Sequence, residues 1–386
     1  MRVMHVITRM IIGGAQENTL YNCLGLRERF GDEVVLVTGP AEGPEGDLLR
    51  QGRAGGLDVC LIPQLRRSIS PRNDIAAFYQ LQGLISDIRP DVVHTHSAKA
   101  GFLGRRAAWV EGVPAIVHTI HGAPFHPYQS WLARIAFRQC ERSAANWCHK
   151  MISVADSMSQ LMIDARVAPP EKFVTIYSGI DVEPFLAADK SRSGTRERFG
   201  FEGNHIVIGK IARLFNLKGH ADLICAARTV VDINPDARFL LVGDGVLRQS
   251  LERRIADFGL TDRFVLTGLV PPEDVSGLLG AMDILVHTSL REGLARALPQ
   301  ALIAGRPVIS YDIDGAREVV IDGRTGFLVP PGCISVLADR IGRLASCPLT
   351  RRRMGASGRS LFTEQFRHEA MTLRIRQLYQ QLLGRV

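Results

Sequence analysis

Short apolar runs alternate with amphipathic helical patterns along the first half of the chain. The runs at residues 3–7, 33–38, 59–62, 92–96 and 115–119 are predicted strands, and residues 150–155 and 173–181 add two more. Strands that alternate with helices are typical of a parallel sheet joined by crossover helices. Residues 40–73 are rich in glycine and proline and are predicted to be rich in loops.

The same alternation resumes in the second half, with predicted strands at 205–212, 239–245, 264–268, 283–289, 307–311 and 326–330. A polar stretch at 189–195 is predicted to be the linker between the halves. A chain of 386 residues is too long for one ordinary core. The sequence therefore predicts an α/β protein with domains of residues 1–185 and 186–364, followed by a long amphipathic helix at 365–386.

Residues 291–310 have the pattern of a loop, a short helix and a buried strand. The loop follows the predicted strand at 283–289, and ligands of open α/β sheets bind at the carboxyl ends of strands. One apolar helix face is formed by Leu294, Leu298 and Leu302. Gly293 would let the backbone approach a ligand, and the helix start near Ala295 offers N–H groups. Glu292 is then left facing the ligand.

A second candidate site follows the predicted strand at 205–212. Arg213 and Lys218 stand five residues apart, and Gly219 precedes the next helix. Both cations could reach one diphosphate, because arginine can fork onto two oxygens while lysine acts as a point charge. The alternative is ordinary surface charge.

The N-terminal half holds two further candidates. Gly13 and Gly14 open the helix after the first strand, where backbone N–H groups could face a phosphate; a simple tight turn is the alternative. Histidines crowd the ends of the fourth and fifth strands, namely His94, His96, His118 and His121. Zinc is one interpretation, but no third or fourth ligand stands at a suitable spacing. Hydrogen-bonded structural histidines are the other interpretation for His94 and His118.

The composition is that of a globular protein, with 46% hydrophobic and 22% charged residues. The seven cysteines form no Cys-x-x-Cys pair, which indicates a reducing compartment. From the short apolar run at the first residues, which Arg9 interrupts, we expect neither a signal peptide nor a spanning helix there. We therefore expect a cytoplasmic location.

Positive charge is concentrated between residues 99 and 150. The basic residues there are Lys99, Arg105, Arg106, Arg134, Arg138, Arg142 and Lys150, against only Glu111 and Glu141. Together with aromatic residues along a predicted helix at 125–149, they could contact anionic lipid or a phosphorylated acceptor. An ordinary solvated face is the alternative. Because no nucleic-acid-binding motif accompanies the charge, we expect no nucleic-acid partner.

These motifs resemble those of the retaining glycosyltransferases of family 4, which have the GT-B fold. Their signature is Glu-Gly-(Phe/Leu)-x-x-x-x-x-Glu-Ala-x-Ala-x-Gly-x-Pro-Val. The chain matches it at Glu292, Gly293, Gly305 and Pro307, but has Gln300 in place of the second glutamate. A neutral acceptor at Gln300 would bind ribose hydroxyls more weakly than a carboxylate, by roughly 1 kcal/mol.

Other stretches extend the resemblance over nearly the whole chain. The sequence from Arg213 to Gly219 matches the family's diphosphate-binding Arg-x-x-x-x-Lys-Gly, and His121-Gly122 matches the His-Gly of its active centre. Residues 176–181 are similar to Ile-x-Asn-Gly-(Val/Ile)-Asp, with Ser178 where asparagine is common. The resemblance implies two Rossmann-like domains facing across a cleft, the first closed by the helix at 365–386.

The resemblance also implies a function. A sugar would pass from a nucleotide sugar, with UDP as the favoured nucleotide, to a saccharide or lipid-linked acceptor in bacterial polysaccharide or envelope glycan synthesis, with its anomeric configuration retained. The implied catalytic residues are His121, Arg213, Lys218 and Glu292. The implied donor-binding residues are Gly13, Gly14, Ser178, Gly293, Leu294, Ala295 and Gln300, and His96 and Lys99 would lie on the acceptor side.

No cofactor or metal is implied, since GT-B enzymes need none and Asp312-Ile-Asp314 only superficially resembles the metal-binding Asp-x-Asp of the other glycosyltransferase fold. Two rival functions stay open. One is a GT-B epimerase or phosphorylase. The other, suggested by Gln300, is a catalytically weakened protein that binds sugar nucleotides.

Overall fold

The computed structural model describes residues 1–41 and 48–385. Its strands are β1 (Arg2–Ile7), β2 (Glu33–Thr38), β3 (Asp58–Leu61), β4 (Val92–His96), β5 (Ala115–Ile120), β6 (Lys150–Ser153), β7 (Phe173–Thr175), β8 (Ile206–Ile211), β9 (Ala237–Val242), β10 (Phe264–Leu266), β11 (Ile284–His287), β12 (Val308–Tyr311) and β13 (Gly326–Val329). Each of the predicted strands among the described residues is present, most of them with ends shifted by one to three residues.

The helices are α1 (Gly14–Phe30), α2 (Leu49–Ala54), α3 (Pro71–Ile88), α4 (Ala98–Val110), α5 (Trp131–Ala145), α6 (Asp156–Asp164), α7 (Glu183–Leu186), α8 (Arg192–Arg198), α9 (His220–Ile233), α10 (Arg248–Asp257), α11 (Val275–Ala281), α12 (Ala297–Ile303), α13 (Ile334–Ser346), α14 (Pro348–Phe362) and α15 (His368–Leu382). Short 3₁₀ turns add Pro170–Lys172, Ala188–Ser191, Thr261–Arg263, Pro272–Asp274 and Asp314–Glu318. Part of the predicted loop-rich segment, residues 42–47, lies outside the described residues, as does residue 386.

The chain divides into two compact units. Unit 1 comprises Met1–Ile180 and Arg367–Val386, and unit 2 comprises Asp181–Phe366. The first boundary precedes the predicted one at 185 because α7 packs against α11 and α12 and so belongs to unit 2. In unit 1, α15 packs on α1.

Both units are parallel sheets with the same winding. The strand order is β3-β2-β1-β4-β5-β6-β7 in unit 1 and β10-β9-β8-β11-β12-β13 in unit 2. In each, the order reverses beside the unit's first strand, between β1 and β4 or between β8 and β11. Ligands of doubly wound sheets bind at the carboxyl ends of strands beside this reversal.

Each unit has its own hydrophobic core. In unit 1 the core joins Val3 and Ile7 of β1, Leu20 of α1 and Ile375 and Tyr379 of α15. In unit 2 it joins the strand residues to α9 and α13. The helix α15 thus supplies apolar side chains to a core whose other members lie about 200 or more residues earlier.

Two sequence-based predictions of helices and linkers were wrong in detail. Residues 189–195 are not a free linker but a 3₁₀ turn followed by α8, because Arg192 donates hydrogen bonds to the carbonyl oxygens of Gly280 and Met282. The aromatic helix predicted at 125–149 begins only at Trp131, since two prolines, Pro124 and Pro127, precede it. Among the described residues, no helix has the length and apolar character needed to cross a membrane.

Candidate functional site

The candidate residues of unit 2 lie on loops that leave the carboxyl ends of three strands. Arg213 and Lys218 follow β8, Glu292 follows β11, and Asp314 follows β12. Since β8 and β11 are neighbours at the strand-order reversal, the first two loops start side by side. The backbone joins them as well, because the N–H of Leu290 donates to the carbonyl oxygen of Leu217 at 2.8 Å.

An ion pair connects two of the predicted catalytic residues. The Lys218 Nζ lies 2.5 Å from Oε1 of Glu292, and each side chain is 21% exposed. Burial by itself would raise the pKa of the Glu292 carboxyl, but contacts with His287 and Lys218 outweigh it and hold this pKa well below its ordinary value. Glu292 is therefore ionised at neutral pH.

Gly219 brings the β8 loop against the end of β11. Its φ of 64° is left-handed, and a Cβ there would stand 1.9 Å from the carbonyl oxygen of Thr288. The Thr288 hydroxyl donates to the Gly219 carbonyl oxygen at 2.6 Å. A glycine is thus required at this position for Lys218 to reach Glu292.

Lys210 lies beneath this contact, inside β8. It is fully buried, and its Nζ donates to Oγ1 of Thr288 at 2.8 Å. Burial lowers the pKa of this amine to about 7, with Lys218 adding to the effect and Glu292 and Asp222 opposing it. The sequence analysis overlooked Lys210, although a lysine within the apolar run 206–211 is a visible signal.

His287, also overlooked, ends β11 behind Glu292. It is buried, and its Nε2 lies 3.4 Å from Oε1 of Glu292. Burial lowers the pKa of His287, and the Glu292 carboxylate partly reverses this. A histidine in an apolar strand directly before a polar loop is the signal that could have identified it.

The two aspartates after β12 have different partners. Asp314 accepts a hydrogen bond from the backbone N–H of Glu292 at 2.6 Å, which fixes the loop that carries this glutamate. Asp312 accepts hydrogen bonds from the guanidinium of Arg317. Their carboxylates are thus engaged separately, by a backbone N–H and by a guanidinium.

Four of the donor-binding candidates follow Glu292 in the chain of unit 2. Gly293, Leu294 and Ala295 lie in the loop before α12, which begins at Ala297, two residues later than predicted. Gly293 is buried and accepts a hydrogen bond from the N–H of Gly315 at 3.2 Å. Gln300 is half-buried on α12.

Arg213 begins the β8 loop and is exposed. Its guanidinium carbon lies 5.0 Å from the ring centre of Phe215, within range of a cation–π contact. The ring of His220 donates from Nε2 to the carbonyl oxygen of Arg213 at 2.9 Å, which ties the start of α9 to the start of the loop.

In unit 1 three histidines form a hydrogen-bonded chain across neighbouring strands. Nδ1 of His5 lies 3.0 Å from Nε2 of His96, and Nδ1 of His96 lies 3.1 Å from Nε2 of His121. His5 and His96 are fully buried, whereas His121 is half-buried after β5. The structure thus brings the predicted residues His96 and His121 together and adds His5, which lies too far away in the sequence to be grouped with them by spacing.

The other two candidate histidines of unit 1, His94 and His118, form hydrogen bonds with hydroxyl groups. His94 lies 2.5 Å from the Tyr379 hydroxyl and 2.6 Å from that of Thr119. His118 lies 2.9 Å from the Thr95 hydroxyl. Burial lowers the pKa of His94 and His118 far below the ordinary value, so both are neutral.

His5, His94 and His96 are also a group that could hold a metal ion. Their candidate ligand atoms all lie within 4.8 Å of one another, and all three residues are buried. His5 is the third histidine that the sequence-based argument against zinc did not find. Both ring nitrogens of His94 and of His96 already have hydrogen-bond partners, however, and a metal ion would have to displace some of them.

Other predicted residues of unit 1 are engaged by neighbouring helices. Gly13 caps α1, and Gly14 is its first residue. Ser178 accepts a hydrogen bond from Asn18 of α1 at 3.0 Å. The amine of Lys99 lies 2.6 Å from Oδ1 of Asp74 on α3, which pairs its charge within unit 1.

The helix α5 has an exposed apolar group at its start. Trp131 is 65% exposed and Leu132 is 62% exposed, with Ile135 and Tyr128 exposed nearby. Arg134 on the same helix is also exposed. Apolar and basic side chains therefore share the solvent-facing part of α5.

Comparison with known proteins assigns the family. Residues 12–184 match the model described as Glycosyltransferase Family 4, and residues 191–361 match that described as Glycosyl transferases group 1. The chain is 30% identical over 332 residues to the UDP-Gal:alpha-D-GlcNAc-diphosphoundecaprenol alpha-1,3-galactosyltransferase of Escherichia coli, covering 85% of this chain and 84% of that protein. The chain belongs to the family 4 glycosyltransferases.

Two further comparisons support this assignment. The chain is 28% identical over 305 residues to the putative glycosyltransferase EpsD of Bacillus subtilis, covering 77% of this chain and 78% of EpsD. The crystal structure of Anabaena Alr3699/HepE with UDP-glucose has a TM-score of 0.83 at 21% identity, covering 99% of this chain and all of that one. The fold of this glycosyltransferase is therefore GT-B, as the resemblance implied.

Proposed function

We propose that this glycosyltransferase moves a sugar from a UDP-sugar to a saccharide or lipid-linked acceptor in bacterial polysaccharide or envelope glycan synthesis, with retention of anomeric configuration and without a metal ion. The observation that carries the proposal is the Lys218–Glu292 pair on adjacent strand ends of unit 2, with Arg213 on the same loop as Lys218. The Escherichia coli relative uses UDP-galactose and a diphosphoundecaprenol-linked acceptor, as its name states.

In this proposal unit 2 binds the donor. The cations Arg213 and Lys218 stabilise the negative charge that grows on the leaving diphosphate as the glycosidic bond breaks. Glu292 accepts hydrogen bonds from hydroxyl groups of the donor sugar. Because Lys218 and His287 already hold its carboxylate, Glu292 is oriented before the donor arrives.

The same contacts support a retaining reaction without a protein nucleophile. Retaining glycosidases use two carboxyl groups about 5–5.5 Å apart, one of them as nucleophile. Glu292 is instead paired with a cation, and the nearby Asp314 is engaged by a backbone N–H. The acceptor hydroxyl then attacks from the side on which the diphosphate leaves.

Unit 1 supplies the acceptor-side groups. His121 and His96 are joined by a hydrogen bond, and burial keeps His96 neutral by lowering its pKa. His96 is fully buried and both of its ring nitrogens are bonded to histidines, so it positions the half-buried His121, whose imidazole is the group that contacts sugar hydroxyls. Lys99, held by Asp74, then acts through the position of α4 rather than as a free cation.

We also propose that the enzyme works in the cytoplasm at the inner face of the membrane, where lipid-linked acceptors are held. Trp131 and Leu132 are exposed apolar residues, and Arg134 adds positive charge, a combination suited to an anionic bilayer. Co-sedimentation with anionic vesicles tests this: Leu132→Ser should weaken binding, whereas Leu349→Ser, at a similarly exposed leucine of unit 2, should not. Equal binding by both variants would reject α5 as the membrane contact.

The donor is tested by thermal stabilisation of the purified protein with UDP-, GDP-, ADP- and dTDP-sugars, each with magnesium and with EDTA. A ligand at 100 times its Kd stabilises by about 2.7 kcal/mol, which is a readily measured shift in Tm. We expect UDP-sugars to give the shift in both media. A shift with another nucleotide would replace UDP, and a shift lost in EDTA would contradict metal independence.

A further inference from the structure

A polar pocket of about 300 Å³ lies in unit 2 at the amino ends of β11 and β12. Its charged lining residues are Asp189, Arg192, Asp283, Arg306, Arg351 and Arg352. Asp283 immediately precedes β11, and Arg306 lies two residues before β12. The pocket therefore opens at the edge of the sheet opposite to the loops that carry Arg213 and Glu292.

The pocket and the proposed donor site lie at opposite ends of the same strands. β11 and β12 each have four residues, and a strand rises about 3.3 Å per residue, which gives roughly 13 Å between the two sheet edges. A ligand in this pocket cannot share the side chains of the proposed donor site.

The arginines of the pocket outnumber its carboxylates. Asp283 is shared by Arg192 at 2.7 Å and Arg196 at 3.3 Å. Asp189 is shared by Arg306 and Arg359. Each aspartate thus pairs with two arginines. Each set of one aspartate and two arginines therefore keeps one uncompensated positive charge.

Two more arginines have no carboxylate partner among the described residues. Arg351 is half-buried and donates to the carbonyl oxygens of Leu344 and Ala345 at 2.6 and 2.7 Å. Arg352 is exposed at the rim of the pocket. Burial lowers the pKa of both Arg306 and Arg351, which reflects the cost of holding these cations away from water. A bound anion would offset this cost.

The shape and the lining narrow the class of ligand. Ligand sites range upward from about 300 Å³, so this pocket has room for a small molecule only. Its lining residues in the described part of the chain include no aromatic side chain on which a nucleotide base could stack. The 15-residue helix α14 begins at Pro348 in the pocket wall, and its positive end adds to the arginines.

We propose that this arginine pocket binds a small soluble anion carrying one or two phosphate groups, at a place separate from the donor site. The inference stands on the pocket alone and does not depend on the proposed function. Guanidinium groups bind phosphate oxygens in a bidentate manner, and the excess of arginine over aspartate supplies the charge for it.

The test is calorimetric titration of the full-length protein with inorganic pyrophosphate at constant ionic strength, and in parallel with orthophosphate. R352E reverses a charge at the rim on an exposed side chain, so the fold should be retained. R353E is the matched control, because Arg353 is the next residue, is equally exposed and does not line the pocket. We expect R352E to raise the Kd for pyrophosphate at least tenfold and R353E to change it less than twofold.

Arg213→Ala separates this pocket from the donor site. Pyrophosphate binding that persists in Arg213→Ala and is weakened by R352E supports the proposal, and tighter binding of pyrophosphate than of orthophosphate indicates two phosphate groups. The proposal is overturned if no saturable binding occurs, if R352E and R353E have equal effects, or if Arg213→Ala abolishes all binding. Circular dichroism of each variant checks the fold.

Discussion

The two units wind their sheets in the same way but carry opposite chemistry at the ends of their strands. At the order reversal of unit 1, burial keeps the imidazoles of His5 and His96 neutral, and hydrogen bonds join His5 to His96 and His96 to His121. At the equivalent place in unit 2 they present charges, with Lys218 paired to Glu292 over the buried Lys210. One architecture thus supports two kinds of recognition, because loops and strand ends, not the sheet, set the chemistry.

Burial affects the pKa of ionisable groups at both strand-order reversals, with different results in the two units. In unit 1 burial is the cause that lowers the pKa of His5 to about 3, so this ring stays neutral. In unit 2 the contacts with His287 and Lys218 outweigh burial and keep Glu292 ionised. The first arrangement suits hydroxyl groups, and the second suits a diphosphate and the sugar attached to it.

The largest effect should come from removing positive charge in unit 2. Arg213→Ala should lower kcat/KM by about 10²–10³-fold, or roughly 3–4 kcal/mol, because the charge on the leaving diphosphate loses a donor. Steady-state kinetics measures this. Arg254→Ala, at an exposed arginine of α10, is the control and should keep normal activity. Full activity in Arg213→Ala would contradict the proposal that Arg213 stabilises the leaving diphosphate.

Substitution of His121 in unit 1 should cause a smaller loss of activity. His121→Ala should lower kcat by about 10²-fold, the lower end of the range for a positioned imidazole, while donor affinity changes by less than about threefold. Donor titration and turnover are measured on the same preparation. If His121→Ala weakened donor binding more than turnover, the division of roles between the units would be wrong.

The neutrality of the histidine chain predicts acid sensitivity. His5 has a folded-state pKa of about 3 against 6.5 in the unfolded chain, so the unfolded state binds more protons between these values. Its contribution to stability is complete above about pH 6.5 and is lost as the pH falls towards 3, with a slope of up to about 1.4 kcal/mol per pH unit. Urea unfolding from pH 7.5 to 4.5 measures the slope.

His5→Leu removes the titrating imidazole. It should therefore lower the dependence of the unfolding free energy on pH by up to about 1.4 kcal/mol per pH unit. The slope is the readout, whatever the effect of the substitution on stability at pH 7. An unchanged slope would mean that His5 is already protonated in the folded protein, which contradicts a neutral chain.

The smallest effect concerns Gln300 in unit 2. Gln300→Glu should tighten nucleotide binding about fivefold, or roughly 1 kcal/mol, because a carboxylate accepts ribose hydrogen bonds more strongly than an amide. Gln300→Ala, as control, should weaken it. A gain of a hundredfold would instead indicate a site that has lost donor binding and would favour the rival function of a weakened binding protein.

The sequence predicted unit 2 better than unit 1, and the reason is physical. Arg213 and Lys218 follow one predicted strand and Glu292 follows another, so the strand ends identified each as a candidate, and the family resemblance grouped them. Apolar alternation also located the strands, although glycines such as Gly243, with a φ of 133°, ended β9 earlier than the pattern indicated. Boundaries depend on such local geometry, which periodicity does not encode.

The histidine chain could be predicted only in part. His96 and His121 were identified as candidates, but His5 stands about 90 residues earlier and meets His96 only because β1 is inserted next to β4. Lys210 and His287 were overlooked because a buried polar residue within a strand looks like an isolated exception until its partners are known. The predicted linker at 189–195 failed for a similar reason, since the carbonyl groups that hold Arg192 lie about 90 residues later.

The position of α15 has a consequence for biosynthesis. Unit 1 is interrupted in the chain by the whole of unit 2, and its last helix supplies Tyr379 to His94 and Arg376 to Asp32. A ribosome adding 5–20 residues per second needs roughly 10–40 s to translate the intervening stretch of about 190 residues. During that time the nascent unit 1 lacks α15, so the surface of α1 on which α15 packs stays uncovered. All residues of unit 2 are synthesised before the last helix of unit 1. The enzyme is therefore expected to fold out of sequence order, its second unit first.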